Sequence, residues 1–328
     1  MRRWATLGMT LIVAVSLVTL VATGSNGATM GVRLGHGMGP NHHINKAAFR
    51  FKEVVESRSS GAIKVELFPG QVMGNDEEML VATTLGTLDV VMAPAGAWGI
   101  LQPEFQLFSL VYMFRDAEHA EKVFRGPMIT DLSGKLVANK SIRILAPFFY
   151  YGKRQLTANK PIRRPEDLKG LTIRVPNVRV HQEGVAALGG QATPLNFPEV
   201  YLALKQGVMD GQENPASQIL DGKLYEVQKY LMLTEHIITN FVMGANEASF
   251  KRLSPDQQKI FVEAAKEAEA YNNELAFKEE KTAVEALAKN GMTVITPDKP
   301  AFIKVTEPVR LKYAKDFVEV YRRIQDTK

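Results

Sequence analysis

The chain has no cysteine in its 328 residues. That excludes a disulfide framework, a thiol nucleophile and a lipid tether through an acylated cysteine, so the fold has to be held by its core. Strong charge is missing too. The formal charge is +5, and without Arg2 and Arg3 the 40 basic residues become 38 against 35 acidic ones, leaving +3. So slight an excess, with no basic-aromatic interleaving and no block of like charge, gives no case for nucleic acid as a partner. Catalytic signatures are also missing: there is no nucleophile elbow, phosphate loop, zinc-protease helix or obvious carboxylate pair. Gly35-His-Gly-Met-Gly39 stands where a dinucleotide loop would, but Pro40 occupies the place of its third glycine. A tight turn that brings backbone close to another group is the better reading. His42 and His43 are adjacent, which makes them a poor metal pair, and they read as surface histidines at a helix start. Neither a cofactor nor a metal is expected.

No charge occurs between Arg3 and Arg33. Arg2-Arg3, the 12-residue apolar core from Leu11 to Ala22, and the small residues leading to Ala28 have the order of a secretory signal peptide cleaved near Ala28, with Ala22-Thr23-Gly24 as a second cleavage candidate. A retained anchor competes, but spanning a bilayer takes roughly 20 residues. Cleavage at Ala28 leaves 300 of the 328 residues, more than one core usually serves, and implies two domains.

Within that mature segment, Gly31 to Gly35, Ile63 to Leu67 and Leu88 to Ala93 read as strands. They are separated by helices from about Asn41 to Ser60 and from Asn75 to Gly86, the latter opened by Asp76, Glu77 and Glu78, where carboxylates suit the helix dipole. A second unit follows, with strands at 142 to 149, 171 to 175 and 230 to 234 and helices at 178 to 188 and 198 to 206. Both units are α/β with parallel or mixed sheets covered by helices. Ser254 to about Asn290 has a cap, a first-turn proline and no further Gly or Pro until Gly291. Its roughly 37 residues would reach about 55 Å, long enough to brace both domains. The competing coiled coil lacks a strict heptad.

Between Tyr151 and Pro215 lie Gly152-Lys-Arg154-Gln-Leu-Thr157, Pro165-Glu-Asp-Leu-Lys-Gly170-Leu-Thr-Ile-Arg174-Val-Pro176-Asn177, Pro198-Glu-Val-Tyr-Leu-Ala-Leu204 and Val208-Met-Asp-Gly-Gln-Glu-Asn214-Pro215. With Leu67-Phe-Pro-Gly70 and Met73-Gly74-Asn-Asp-Glu-Glu-Met79, the mature chain resembles the DctP-type solute receptors of tripartite ATP-independent periplasmic (TRAP) transporters. The resemblance implies a two-domain periplasmic-binding-protein-like fold with crossing segments and a bridging helix. It divides the chain into residues 29–151 plus about 240–279 and residues 152–239 plus about 280–328. It further implies a non-enzymatic, monomeric periplasmic receptor for a small organic acid, serving a membrane permease with a small and a large subunit driven by an ion gradient.

By residue-by-residue match, Arg174 grips the solute carboxylate, Arg154 is a second cationic contact, Asn214 an amide contact, Phe197 an apolar one, and Asn177 a lesser candidate. Physical chemistry agrees for Arg174, a planar donor fork at the end of an apolar strand, where ligands of α/β sheets collect. Its competing role is a structural cation paired with Glu213 or Asp167, and Phe197 fits a core position equally well. Trp98, Phe105 and Tyr150-Tyr151 could form a stacking wall or belong to the core. Sialic-acid receptors of the family, as aligned, carry Glu near Pro94 and Asn near Gly37, so sialic acid is disfavoured here. Sugar acids, C4-dicarboxylates, keto acids and aromatic acids stay open. A secreted α/β hydrolase or lyase acting on a carboxylate is the rival from another class, and a receptor feeding a sensor kinase is a third.

Overall fold

The computed structural model describes residues 29–328; the signal segment lies outside the described residues. Among these, no helix is long and apolar enough to cross a membrane. Ten strands form: β1 Met30–His36, β2 Ile63–Phe68, β3 Val90–Pro94, β4 Ile142–Ala158, β5 Thr172–Val175, β6 Gln191–Pro194, β7 Gly211–Pro215, β8 Tyr230–Met232, β9 Ile238–Asn246 and β10 Thr293–Ile295. They pair in the order β2-β1-β3-β9-β4-β7-β5-β6, with β8 on β4 and β10 on β8. Strands β1 to β3 are parallel, as the strand-helix alternation requires, while β9 and β4 add antiparallel neighbours. In the second unit β7, β5 and β6 are parallel, and β7 runs antiparallel to β4. The fold is mixed α/β in two units.

Strand β4 joins them. It extends nine residues beyond the expected Phe149, to Ala158, pairing with β9 up to Lys153 and with β7 from Arg154 onward. Register shifts at Ala146, Phe149 and Gly152 bend it at the transfer point, where Gly152 adopts φ 125. A bent, bulged strand leaves backbone groups without ladder partners, and the long helix supplies them. That helix, Pro255–Lys289, begins in a capping box between Ser254 and Gln257. Asn273 accepts the Tyr150 N–H at 2.8 Å and donates to the Phe148 carbonyl at 3.0 Å, and Asn272 donates to the Tyr150 carbonyl at 2.9 Å. Glu269 accepts the Phe148 N–H at 2.6 Å, and Glu280 takes both the Lys153 N–H at 3.1 Å and the Tyr150 hydroxyl at 2.9 Å. The helix packs Phe261, Ala264, Ala265 and Ala268 against Phe51 and Val54 of the first unit, and Ala283 and Leu287 among Val200, Leu204 and Ile219 of the second.

Two expectations change. His42 and His43 are buried, not surface residues. His42 caps the helix His43–Arg58 through its Nδ1, which accepts the Ile44 N–H, and His43 Nδ1 lies 2.9 Å from Asn272 Oδ1. The brace covers this helix start, which a sequence reading that treats helix termini as exposed does not anticipate. The final helix, Val318–Asp326, lies on the first unit: His119 Nε2 meets the Ile324 carbonyl at 2.9 Å, and Arg323 pairs with Asp131. Trp98 and Phe105 are fully buried in the first core. A Cβ at Gly244 would collide with the Trp98 ring. Gly244→Ala therefore destabilises by about 1–3 kcal/mol, and the fluorescence of Trp98, the one tryptophan beyond residue 28, reports it in a denaturant titration.

Candidate ligand-binding site

Strands β4, β7 and β5 lie side by side in that order, so Arg154, where β4 begins to pair with β7, comes to one place with Asn214 and Arg174 near the ends of β7 and β5. All five sequence-derived residues, Arg174, Arg154, Asn214, Phe197 and Asn177, line a single pocket between the units. Asp76, Glu77, Tyr151 and His181 line it too. Its cavity volume is about 50 Å³, well below the several hundred Å³ of a typical small-molecule site, so the walls of the two units stand close together here.

The two arginines are in different electrostatic situations. Arg154 is 4% exposed and forms a two-pronged pair with Glu213, one contact running from Nε to Oε2 and the other from Nη2 to Oε1 at 2.8 Å; Nη2 also reaches Asn214 Oδ1 at 3.2 Å. His181 and His236 approach the same carboxylate at 3.3 and 3.2 Å. Burial acts to raise the pKa of Glu213, but Arg154 and the two imidazole hydrogen bonds outweigh it and hold the group well below the usual carboxylate range. Arg174, 3% exposed, has no carboxylate within ion-pair distance among the described residues. Its Nε and Nη2 donate to the Leu195 carbonyl at 2.8 and 2.6 Å, and its guanidinium carbon lies 5.8 Å from the centre of the Phe197 ring. Burial lowers its pKa to about 10, despite the attraction of Glu213, so it stays cationic at neutral pH. The competing role foreseen for Arg174 has thus gone to its neighbour: Glu213 serves Arg154, and Asp167 accepts the backbone N–H groups of Arg163 and Arg164.

Asp76 and Glu77 were legible only as first-turn acids of the helix Asp76–Leu85. Folding turns them into the pocket. Asp76 Oδ1 is buried without a hydrogen-bond partner, and a Cβ on Gly37 would sit 3.0 Å from it. The Gly-rich turn therefore does bring backbone close to other groups, and Gly39 is placed likewise, with a Cβ there 2.9 Å from Asp221 Oδ2. Burial pushes Asp76 up to about 7 against the pull of Arg174. A carboxyl raised in this way favours folding fully below its ordinary pKa, and that contribution is lost as the pH rises through 7. Asp76→Asn should therefore stabilise the ligand-free protein at pH 8 by about 1–3 kcal/mol and flatten its stability between pH 5 and 8, as measured by urea unfolding. Of the aromatic wall, Tyr151 alone reaches the pocket, its hydroxyl 3.4 Å from Asn214 Oδ1. Tyr150 instead stacks on Phe277 and bonds Glu280.

Residues 34–316 match the family model DctP, bacterial extracellular solute-binding protein, family 7. The chain is 32% identical over 292 residues to the 2,3-diketo-L-gulonate-binding periplasmic protein YiaO of Escherichia coli (strain K12), covering 88% of each. Among solved structures it is similar to a TRAP periplasmic solute-binding protein from Polaromonas sp. JS666 bound to D-erythronate, at 33% identity, TM-score 0.86, and coverage of 91% and 99%. A counterpart from Actinobacillus succinogenes 130z with bound L-galactonate gives 32% identity, TM-score 0.85 and the same coverage. A two-unit α/β fold with a cationic pocket between its units, matched along nearly its whole mature length, places this chain in the DctP family of periplasmic solute-binding proteins of TRAP transporters.

Proposed function

We propose that the chain captures a hydroxylated monocarboxylate, an aldonate or uronate, and delivers it to a two-subunit membrane permease. The observation that carries this reading is the Arg174 guanidinium, buried, facing the pocket and with no carboxylate within ion-pair distance among the described residues. A buried cation without a counter-ion is costly, and a ligand carboxylate removes the cost through a charge-assisted pair. Arg154, already neutralised by Glu213, is the secondary contact, Asn214 the amide contact and Phe197 the apolar wall, with Asn177 at the mouth. Asp76 and Glu77 bring acceptors from the other unit, suited to sugar hydroxyls and unfavourable to the second carboxylate of a C4-dicarboxylate. Pro94 lines the pocket and Gly37 faces Asp76, where the sialic-acid receptors carry polar side chains. The erythronate and galactonate named with the two structural neighbours belong to the same chemical class.

The lobes we propose are residues 29–151, about 240–279 and the final helix for the first, and residues 152–239 with about 280–306 for the second. Loading closes them because the closed form binds the ligand better. A thermal-shift panel of aldonates, uronates, C4-dicarboxylates and neutral sugars tests the proposal. An aldonate at about 100 times its Kd adds roughly 2.7 kcal/mol of stability and is recovered chemically unaltered. A neutral sugar that stabilises as well as the acid, or a panel without any hit among the acids, refutes it.

A further inference from the structure

A group that reports closure has to touch the opposite lobe, and one polar pair at the pocket mouth does so. Asn177 follows β5 in the second lobe, and Glu77 stands in the first turn of the helix Asp76–Leu85 in the first. Asn177 Nδ2 donates to Glu77 Oε2 at 3.4 Å, across 100 residues of sequence. The neighbouring Val178 is 6% exposed and belongs to the first lobe's core cluster, and a Cβ placed on Gly96 would lie 3.4 Å from its Cγ1. The Asn177-Val178 step therefore reaches over the cleft, an apolar foot seated on the first lobe beside a polar hook. Both hooking residues line the pocket, and Asn177 is exposed on its outer side. Any rotation that opens the cleft separates them.

We propose that Asn177 and Glu77 form a latch across the mouth of the pocket, which acts on the closed state and sets how long a ligand stays rather than how it is recognised. The assignment rests on the receptor reading and departs from the sequence expectation, which made Asn177 a direct ligand contact. A latch contributes equally to every ligand that fits, whereas a ligand contact contributes according to the ligand's length and substituents. As one solvent-accessible hydrogen bond, it should change the dissociation rate by roughly three- to tenfold, leaving association nearly constant because the latch forms after entry.

Stopped-flow binding of L-galactonate and D-erythronate to the mature protein and to Glu77→Ala, Asn177→Ala and the double variant supplies the first test. The latch predicts faster dissociation by the same factor for both acids, with the double variant no worse than either single one. Asn177→Asp, which sets like charges face to face, should be worse, and the swapped pair Glu77→Asn with Asn177→Asp should recover. Additive losses, or losses that differ between the four-carbon and six-carbon acids, overturn the latch in favour of separate ligand contacts. A ligand-free measurement separates this from the receptor reading. The cysteine-free chain accepts spin labels at Leu85→Cys and Val208→Cys, both exposed and one on each lobe. The latch variants should shift the label separation toward longer distances. An unchanged distance distribution together with unchanged dissociation removes the latch. If neither acid binds the wild type, the receptor reading fails and the distances alone decide the latch.

Discussion

Replacing Arg174 with alanine should weaken the binding of any acidic ligand by about a hundred- to a thousandfold, while the ligand-free protein stays as stable as the parent or becomes more so. The two outcomes have one cause. Arg174 is desolvated and lacks a carboxylate partner among the described residues, so in the empty protein it is a burden, and in the complex it becomes half of a buried charge pair. Arg174→Lys should lose nearly as much binding. The guanidinium is held by two bonds to the Leu195 carbonyl and has other N–H groups left to donate, whereas a lysine ammonium is a point charge without the planar fork. Isothermal titration with an aldonate, alongside urea unfolding of the same variants, measures both halves. Binding retained within about tenfold of the parent would falsify the anchor, and a variant that loses binding and stability together would make Arg174 a structural cation.

Glu213 should behave in the opposite sense. Glu213→Gln keeps the shape and removes the charge, leaving Arg154 buried and unpaired and two imidazoles facing an amide. Breaking one partner of a buried pair costs about 3–5 kcal/mol, so the midpoint of urea unfolding falls steeply even without ligand. Replacing both members, Arg154→Met with Glu213→Leu, should recover much of that loss, since no charge is then stranded. Two arginines on strands flanking β7 thus give opposite signatures: removing Arg174 affects binding, and removing the partner of Arg154 affects folding. If Glu213→Gln unfolds at the parent's denaturant concentration, the buried network is not what holds these strands together.

Arg174 is placed by its match to the family motif, and local information agrees: an apolar strand ending in Arg-Val-Pro states both the element and the side chain's position at its edge. The long helix was similarly legible, expected over 254 to about 290 and found over Pro255–Lys289. Asp76 was not, because its first-turn position explains a carboxylate without any ligand, and only tertiary folding brings it into one pocket with Arg174 and Arg154. The second half of β4 was hidden by Gly152, Lys153 and Arg154, which break apolar alternation. Strand β9 was hidden for a different reason, since its residues are buried throughout and show no period. The identity of the cation that keeps Glu213 could not be read either, since Arg154 and Arg174 differ only in which strand faces the acid.

The amide clamp of Asn272 and Asn273 on the kinked strand has a mechanical consequence. Because Asn273 holds the backbone at Phe148 and Tyr150 at once, the helix cannot slide lengthwise past the strand without breaking both bonds together. Translation is thereby penalised, while bending beyond the clamp strains one further hold on the strand backbone, the Lys153 N–H accepted by Glu280. For the lobes we propose, that leaves one cheap degree of freedom, a swing about a pinned axle.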